Sequence, residues 1–304
     1  MSVECWQLGD ARVLRIEEMV GPMFAPTTFF PDHDAAVMAA ARERFGPDQI
    51  ADNGRIIASM HSWLLEVEGR TVLVDGCIGD CKDRQPYRRW HELQTDWPRR
   101  LALAGVTPEQ IDFVMCTHLH VDHVGWNTRL VDGRWVPTFP NARYLFSADE
   151  VDHFREEYGR PPSDEFEAVS RKVWEDSVLP VLDAGLVDLV EGVRAVIPDR
   201  VVMEPTPGHT PGSASLFLRD DVERALFTGD VIHHPVQVLQ PDWNSAFCEI
   251  PEQARATRRA LLERAADTDA LLMPAHFGWP YAARIHRSGS AFDLTFVEPN
   301  RVLG

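Results

Sequence analysis

Residues 113–127 read FVMCTHLHVDHVGWN, an apolar run that opens without a break into three histidines and an aspartate. The run has the pattern of a buried strand, and its polar end places His118, His120, Asp122 and His123 in the loop that follows. Side chains two residues apart on an extended segment point the same way, so His118 and His120 can reach one ion. A turn into a helix after them would swing Asp122 and His123 towards a neighbouring ion. Each residue alone has an ordinary reading, as a hydrogen-bonded core histidine or a helix cap, but four together argue against it.

Zinc accepts imidazole nitrogen and carboxylate oxygen, and a catalytic zinc keeps one position open for water. Four ligands do not fill two such centres. Later strand ends supply more: PTPGHTPGS carries His209, FTGDVI carries Asp230, and MPAHFGW carries His276, each after an apolar run.

The remaining pattern alternates strands and helices. Residues 3–20 read as one or two strands ending at Gly21-Pro22, and DAAVMAAARERF as a short helix. HSWLLEVEGRTVLVDG reads as two strands joined at Glu68-Gly69, and TRLVDGRWVPTF as a hairpin turning at Asp132-Gly133. WPRRLALAGV and TPEQID have helical patterns, the second with Thr107 as N-cap and Pro108 at the first helical position. A helix is expected over SADEVDHFREEY, a longer one over 164–184, and another over PEQARATRRALLERAAD. Strands are expected at LVDLV, VVMEP, SLFLR, RALFTGDVI and ALLMP. No low-complexity linker or short-period repeat interrupts the chain, so one α/β domain over 1–304 is expected, with residues 1–60 including an N-terminal extension.

Composition narrows the partners. Of 304 residues, 44% are hydrophobic and 25% charged, a mix that allows a sizeable core. The formal net charge of −17 opposes a phosphate backbone, and no basic run offers an exception, so nucleic acid is not expected as a partner. The first residues lack a basic start followed by an apolar stretch, and nowhere do about 18 apolar residues run unbroken. A soluble, cytoplasmic protein with no membrane partner is expected. Five cysteines, odd in number and thinly spread, point to reduced thiols, and the Cys77/Cys81 pair lacks the partner ligands of a soft-metal site.

HxHxDH followed by GHTPG, TGD and a late strand-terminal histidine resembles the metallo-β-lactamase superfamily, roughly from residue 60 to 280. The resemblance implies a four-layer αβ/βα sandwich. It also implies two zinc ions per chain: His118, His120 and His209 on the first, Asp122, His123 and His276 on the second, and Asp230 bridging. Asp75, in VLVDG, matches an early strand-end aspartate that orients the ligand loop. Histidine at the second position of the motif favours zinc over a redox di-iron pair.

A metal-bridging hydroxide would then attack, with Asp122 also able to accept the nucleophile's proton. Length and the N-terminal extension resemble the acyl-homoserine lactonases and the methyl-parathion-hydrolase-like enzymes. Those lactonases usually carry a tyrosine three residues after the bridging aspartate; here that position is His233, a candidate to donate a proton or hydrogen bond. Trp126 and Trp279 are expected near the substrate, and Phe24, Phe29 and Phe30 are expected to form a lid; the extension could instead bury its apolar side against a second subunit as a homodimer contact. The expected reaction is hydrolysis of a lactone or ester of a neutral, fairly apolar small molecule. A glyoxalase-II-like thioesterase, a phosphotriesterase and a mononuclear iron, persulfide-dioxygenase-like oxidoreductase are the alternatives. β-Lactam hydrolysis is disfavoured by the cytoplasmic expectation and by the Asp122 pattern.

Overall fold

A computed structural model describes residues 2–289 and 291–303. The chain opens with the antiparallel pair β1 (Ser2–Leu8) and β2 (Ala11–Phe24). Next come the short α1 (Pro26–Phe29) and α2 (Ala35–Phe45), the latter capped by Asp34, whose carboxylate accepts from the amides of Ala36 and Val37. β3 (Ile56–Val67) and β4 (Arg70–Val74) form the expected hairpin, with Glu68 and Gly69 both at positive φ as a tight primed turn requires.

After α3 (Trp97–Leu103) and β5 (Phe113–Met115), the hairpin of β6 (Thr128–Val131) and β7 (Arg134–Pro137) leads into β8 (Arg143–Ser147). α4 (Ala148–Tyr158), α5 (Glu165–Val173), one π-helical turn (Trp174–Val178) and α6 (Leu179–Asp183) precede β9 (Val187–Val190). Four strands follow: β10 (Arg194–Ile197), β11 (Val201–Pro205), β12 (Ala214–Arg219) and β13 (Glu223–Phe227). Beyond α7 (Val236–Leu239) and α8 (Pro251–Thr268) come β14 (Leu271–Met273), β15 (Ala283–Ser288), β16 (Ala291–Phe296) and β17 (Asn300–Leu303).

Two large sheets result, ordered β17-β1-β2-β3-β4-β5-β8-β9 and β10-β11-β12-β13-β14-β15-β16. The chain divides into two compact units: Met1–Glu18 with Met60–Gly192 and Asn300–Gly304, and Met19–Ser59 with Val193–Pro299. In the first, parallel β4, β5 and β8 carry the apolar runs, and Leu73, Val114 and Tyr144 join Trp97, Leu101 and Val173 in one buried cluster. In the second, Phe217, Leu226 and Leu272 pack with Leu261 and Leu262 of α8, while Phe29, Phe30, Met38 and Trp243 form a separate cluster. Burying a phenylalanine as completely as Phe30 is worth about 2 kcal/mol. No helix among the described residues is long and apolar enough to cross a membrane.

Several local expectations need correction. β2 does not stop at Gly21-Pro22 but runs to Phe24. Its pairing with β1 ends at Arg15, so Pro22 lies beyond that ladder. TPEQID forms only one 3-10 turn, Pro108–Gln110, closed by the capping box of Thr107 and Gln110. Strands β10, β15, β16 and β17 were not expected. The helix over 164–184 is present but includes a π turn: Pro180 has no amide hydrogen, and the Asp176 carbonyl is taken up by Lys82 Nζ at 3.0 Å and by the Thr128 hydroxyl.

Candidate metal centre

Each unit carries a group of the expected ligands. In the first, β5 is only three residues long, and the loop after it holds His118, His120, Asp122 and His123, of which only Asp122 is not fully buried. His118 Nε2 lies 3.0 Å from His120 Nδ1. Two nitrogens on one tetrahedral zinc are about 3.3 Å apart, given bonds near 2.05 Å, so the pair fits a common cation. His123 Nε2 lies 3.6 Å from Asp122 Oδ1.

Three buried carboxylates hold this loop. Asp75 accepts from the Thr117 amide at 2.7 Å and the Thr117 hydroxyl at 2.9 Å, and its Oδ2 meets His123 Nδ1 at 2.9 Å. That contact directs the other ring nitrogen of His123 outward, as a carboxylate behind a metal-binding histidine does. Asp75 sits at φ 60, a conformation costing a non-glycine residue about 1–2 kcal/mol, which its hydrogen bonds offset. Glu150, at the start of α4, accepts from the amide of Leu119, between the first two histidines, at 3.0 Å.

Glu18 accepts from the amides of Ile78 and Gly79 and from Trp126 Nε1, all at 2.8–2.9 Å. Burial pushes its carboxyl up to about 7, against the opposing pull of those donors. The loops at 76–79 and 123–127 are laced by backbone bonds, and a Cβ on Gly125 would collide with the Ile78 carbonyl, so glycine is required in HVGW.

In the second unit, Asp230 stands on a 3-10 turn (Gly229–Val231) at the end of β13 and His209 on the loop between β11 and β12. Asp230 Oδ2 is 3.5 Å from His209 Nε2 and 3.1 Å from His233 Nε2, while Oδ1 is 2.9 Å from His276 Nε2. The carboxylate therefore presents its two oxygens to different imidazoles. His276 Nδ1 lies 3.0 Å from the Ser59 carbonyl, which can only accept, so Nδ1 carries the proton and Nε2 is left as a ligand atom. Gly208 adopts φ +133, and a Cβ there would strike the backbone of α8 at Ala254, which explains the glycine of GHTPG.

Neutral and cationic groups hold these loops. Gln49 accepts from Gly278 N and donates to the carbonyls of Gly278 and Trp279. Gln237 Oε1 accepts from the amides of His233 and His234. Arg258, fully buried on α8, donates to the carbonyls of Val231 and Pro241 and to Asn244.

The expected pocket residues fall in contrasting places. Trp126 is buried, stacked on Trp97 at 4.9 Å with its N–H on Glu18, so it serves the loop's foundation. Trp279 is half-buried against Tyr281. Phe30 is fully buried against Trp243, whereas Phe29 meets half-buried Phe24, Phe247 and the ring of His233. His233 is 3% exposed, and burial pulls its pKa below the ordinary 6.5, so it is neutral near pH 7 and poorly suited to giving up a proton. Cys77 is buried with its thiol pKa pushed well up by burial, and Cys81 is exposed, so the two are not a matched pair.

Sequence reasoning missed Glu18, Glu150, Gln49, Ser59 and Arg258. None follows a motif; an inward-facing glutamate in the EEM of β2 was the one visible anomaly. Phe166 of α5 and Phe154 of α4 both meet the His120 ring edge-on, at 5.5 and 5.9 Å.

Fold and donor set define a metal-dependent hydrolase. The chain matches the metallo-beta-lactamase superfamily over residues 60–276 and belongs to it. Among solved structures it is similar to the hydrolase AbOPH of the beta lactamase superfamily, at 21% identity over 98% of both chains with a TM-score of 0.81. It is also similar to AidC, a dizinc quorum-quenching lactonase, at 19% identity over 98% of this chain and 99% of that one, with a TM-score of 0.74. A probable metal-dependent hydrolase from Staphylococcus aureus gives 17% identity, 98% and 99% coverage and a TM-score of 0.77. No curated protein matches the chain.

Proposed function

We propose that the protein is a dinuclear zinc hydrolase acting on a lactone or ester of a neutral, fairly apolar small molecule. The observation that carries the metal reading is the split carboxylate of Asp230, one oxygen towards His209 and the other towards His276, as a bridging ligand requires. On this reading His118, His120 and His209 hold one cation, Asp122, His123 and His276 the other, and Asp230 both. Two zinc ions, when bound, would supply Lewis acidity to a substrate carbonyl and lower the pKa of water.

The chain's own groups do the rest. Asp75 and the Ser59 carbonyl fix the tautomers of His123 and His276, so each offers Nε2. Asp122, the least buried of the seven, would take the proton of the attacking water. Phe24, Phe29 and Phe247 give the second unit an aromatic patch beside His233, suited to an acyl or aryl group. The net charge of −17 disfavours a polyanionic substrate. Similarity to a lactonase, AidC, agrees with this choice.

The test is a hydrolysis screen of zinc-loaded protein across lactones, aryl esters, phosphotriesters and thioesters, followed by acid release in weak buffer. Lactone or ester turnover that is lost on chelation and restored by zinc is expected. Activity confined to thioesters would refute the substrate class and leave the metal reading standing; one iron and no zinc under metal-replete conditions would refute both.

A further inference from the structure

His233 stands three residues after Asp230, just beyond the 3-10 turn of Gly229–Val231 and the extended Ile232. Its Nε2 lies 3.1 Å from Asp230 Oδ2, the oxygen that also faces His209 Nε2 at 3.5 Å. Ligand atoms of His209, Asp230 and His233 all lie within 4.8 Å of one another. Two donors on one tetrahedral zinc are separated by about 3.3 Å, and the two measured distances bracket that figure. We propose that His233 is a further metal ligand, and that His209, Asp230 and His233 by themselves form a site for one zinc-like cation within the second unit. The inference rests on the reading that His209 and Asp230 bind a cation, but it needs none of the histidines at 118–123.

The surroundings suit a ligand. All three side chains are buried, with 2%, 7% and 3% exposure, so a cation there would be shielded from competing water. Two imidazoles and one carboxylate are a nitrogen-rich donor set that favours zinc over calcium or magnesium and leaves a fourth position open. The His233 backbone is fixed by Gln237 Oε1, 2.7 Å from its amide, and Phe29 packs edge-on against the ring at 5.4 Å. Among the described residues Nδ1 of His233 has no hydrogen-bond partner, and the polar contacts of the ring converge on Asp230 and on Ser245 Oγ, 3.4 Å from Nε2. On the far side of His209, Cys248 Sγ lies 3.8 Å from Nδ1, which keeps Nε2 turned towards Asp230.

The experiment uses the full chain with His118, His120 and His123 all replaced by alanine, titrated with Co²⁺ alone and followed by visible d–d absorption. One Co²⁺ per chain with the intensity of a low-coordinate site is expected. Adding His233→Gly should weaken binding at least about 100-fold, the upper end of what losing an outer partner of a ligand costs, and free imidazole should restore both binding and spectrum. If circular dichroism shows that the alanines disturb the fold, His118→Gln with His120→Gln and His123→Gln serves as background. A folded background that binds no Co²⁺, or a His233→Gly change that leaves affinity and spectrum unaltered, would overturn the proposal. Metal content of the unmodified chain, two or one, tests the dinuclear reading separately.

Discussion

In the first unit four candidate ligands crowd into six residues of one loop, and the carboxylates of Asp75, Glu150 and Glu18 hold that loop from behind. In the second, the candidate ligands His209, Asp230 and His276 come from three separate loops, and a carbonyl, two side-chain amides and a guanidinium hold them. In the first arrangement one carboxylate, Asp75, backs an imidazole directly, while Glu150 and Glu18 hold the backbone that carries the loop. The second has Asp230 as the carboxylate among its candidate ligands, so any cation held there would lean on one side chain. Two routes to ligand order follow: local sequence with anionic support, or distant loops with neutral support.

The sharpest way to break the contrast is Asp230→Ala. It should reduce turnover by more than about 100-fold and lower zinc content, because the second unit then keeps no carboxylate ligand and two cations would repel without their bridge. Near wild-type turnover with both metals present would show that Asp230 does not bridge. Turnover and elemental analysis on the same preparation decide it.

Asp75→Asn probes the first unit's anionic support. Metal affinity should fall about 10- to 100-fold with the fold intact, since the charge behind His123 is removed while the shape is kept. Calorimetric zinc titration measures this, and an unchanged affinity would mean that the carboxylates serve the backbone alone.

Gln49→Ala tests the neutral support. It leaves Gly278 N without its acceptor, so a loss of about 1–2 kcal/mol in stability is expected, with an effect on zinc affinity smaller than that of Asp75→Asn. Urea unfolding and zinc titration of both variants rank the two kinds of scaffold; a larger affinity loss from Gln49 would invert the comparison.

The smallest effect is the pH dependence due to Glu18. Its carboxyl is raised from an ordinary 4.5 to about 7 by burial, so between those values the folded state holds a proton that the unfolded chain has released. Folding stability from this group therefore declines as pH rises from about 4.5 to 7, with a slope bounded by about 1.4 kcal/mol per pH unit. Glu18→Gln should flatten that slope in unfolding experiments across the range; an identical slope would assign it to other groups.

Strand-to-loop placement of His118, His120, Asp122 and His123 was legible because an unbroken apolar run and the polar residues that end it are local properties of adjacent residues. The superfamily followed from the same short motifs, and the hairpins from Glu68-Gly69 and Asp132-Gly133. What lies behind the ligands was not legible. Gln49 reaches Gly278 across 229 positions and Ser59 reaches His276 across 217, and no local pattern encodes contacts between such distant segments. Trp126 was expected beside the substrate from its nearness to His123, and stacking on Trp97 put it in the core. His233 was singled out by its distance from Asp230 along the chain, but the direction of its ring, towards Asp230 Oδ2, goes with the hold of Gln237 on its amide and the packing of Phe29. Sequence thus determined which residues could bind a cation, because donor chemistry belongs to the side chain. Only the tertiary structure decided which nitrogen each histidine offers, because a tautomer is set by whatever group, however remote in sequence, faces the other side of the ring.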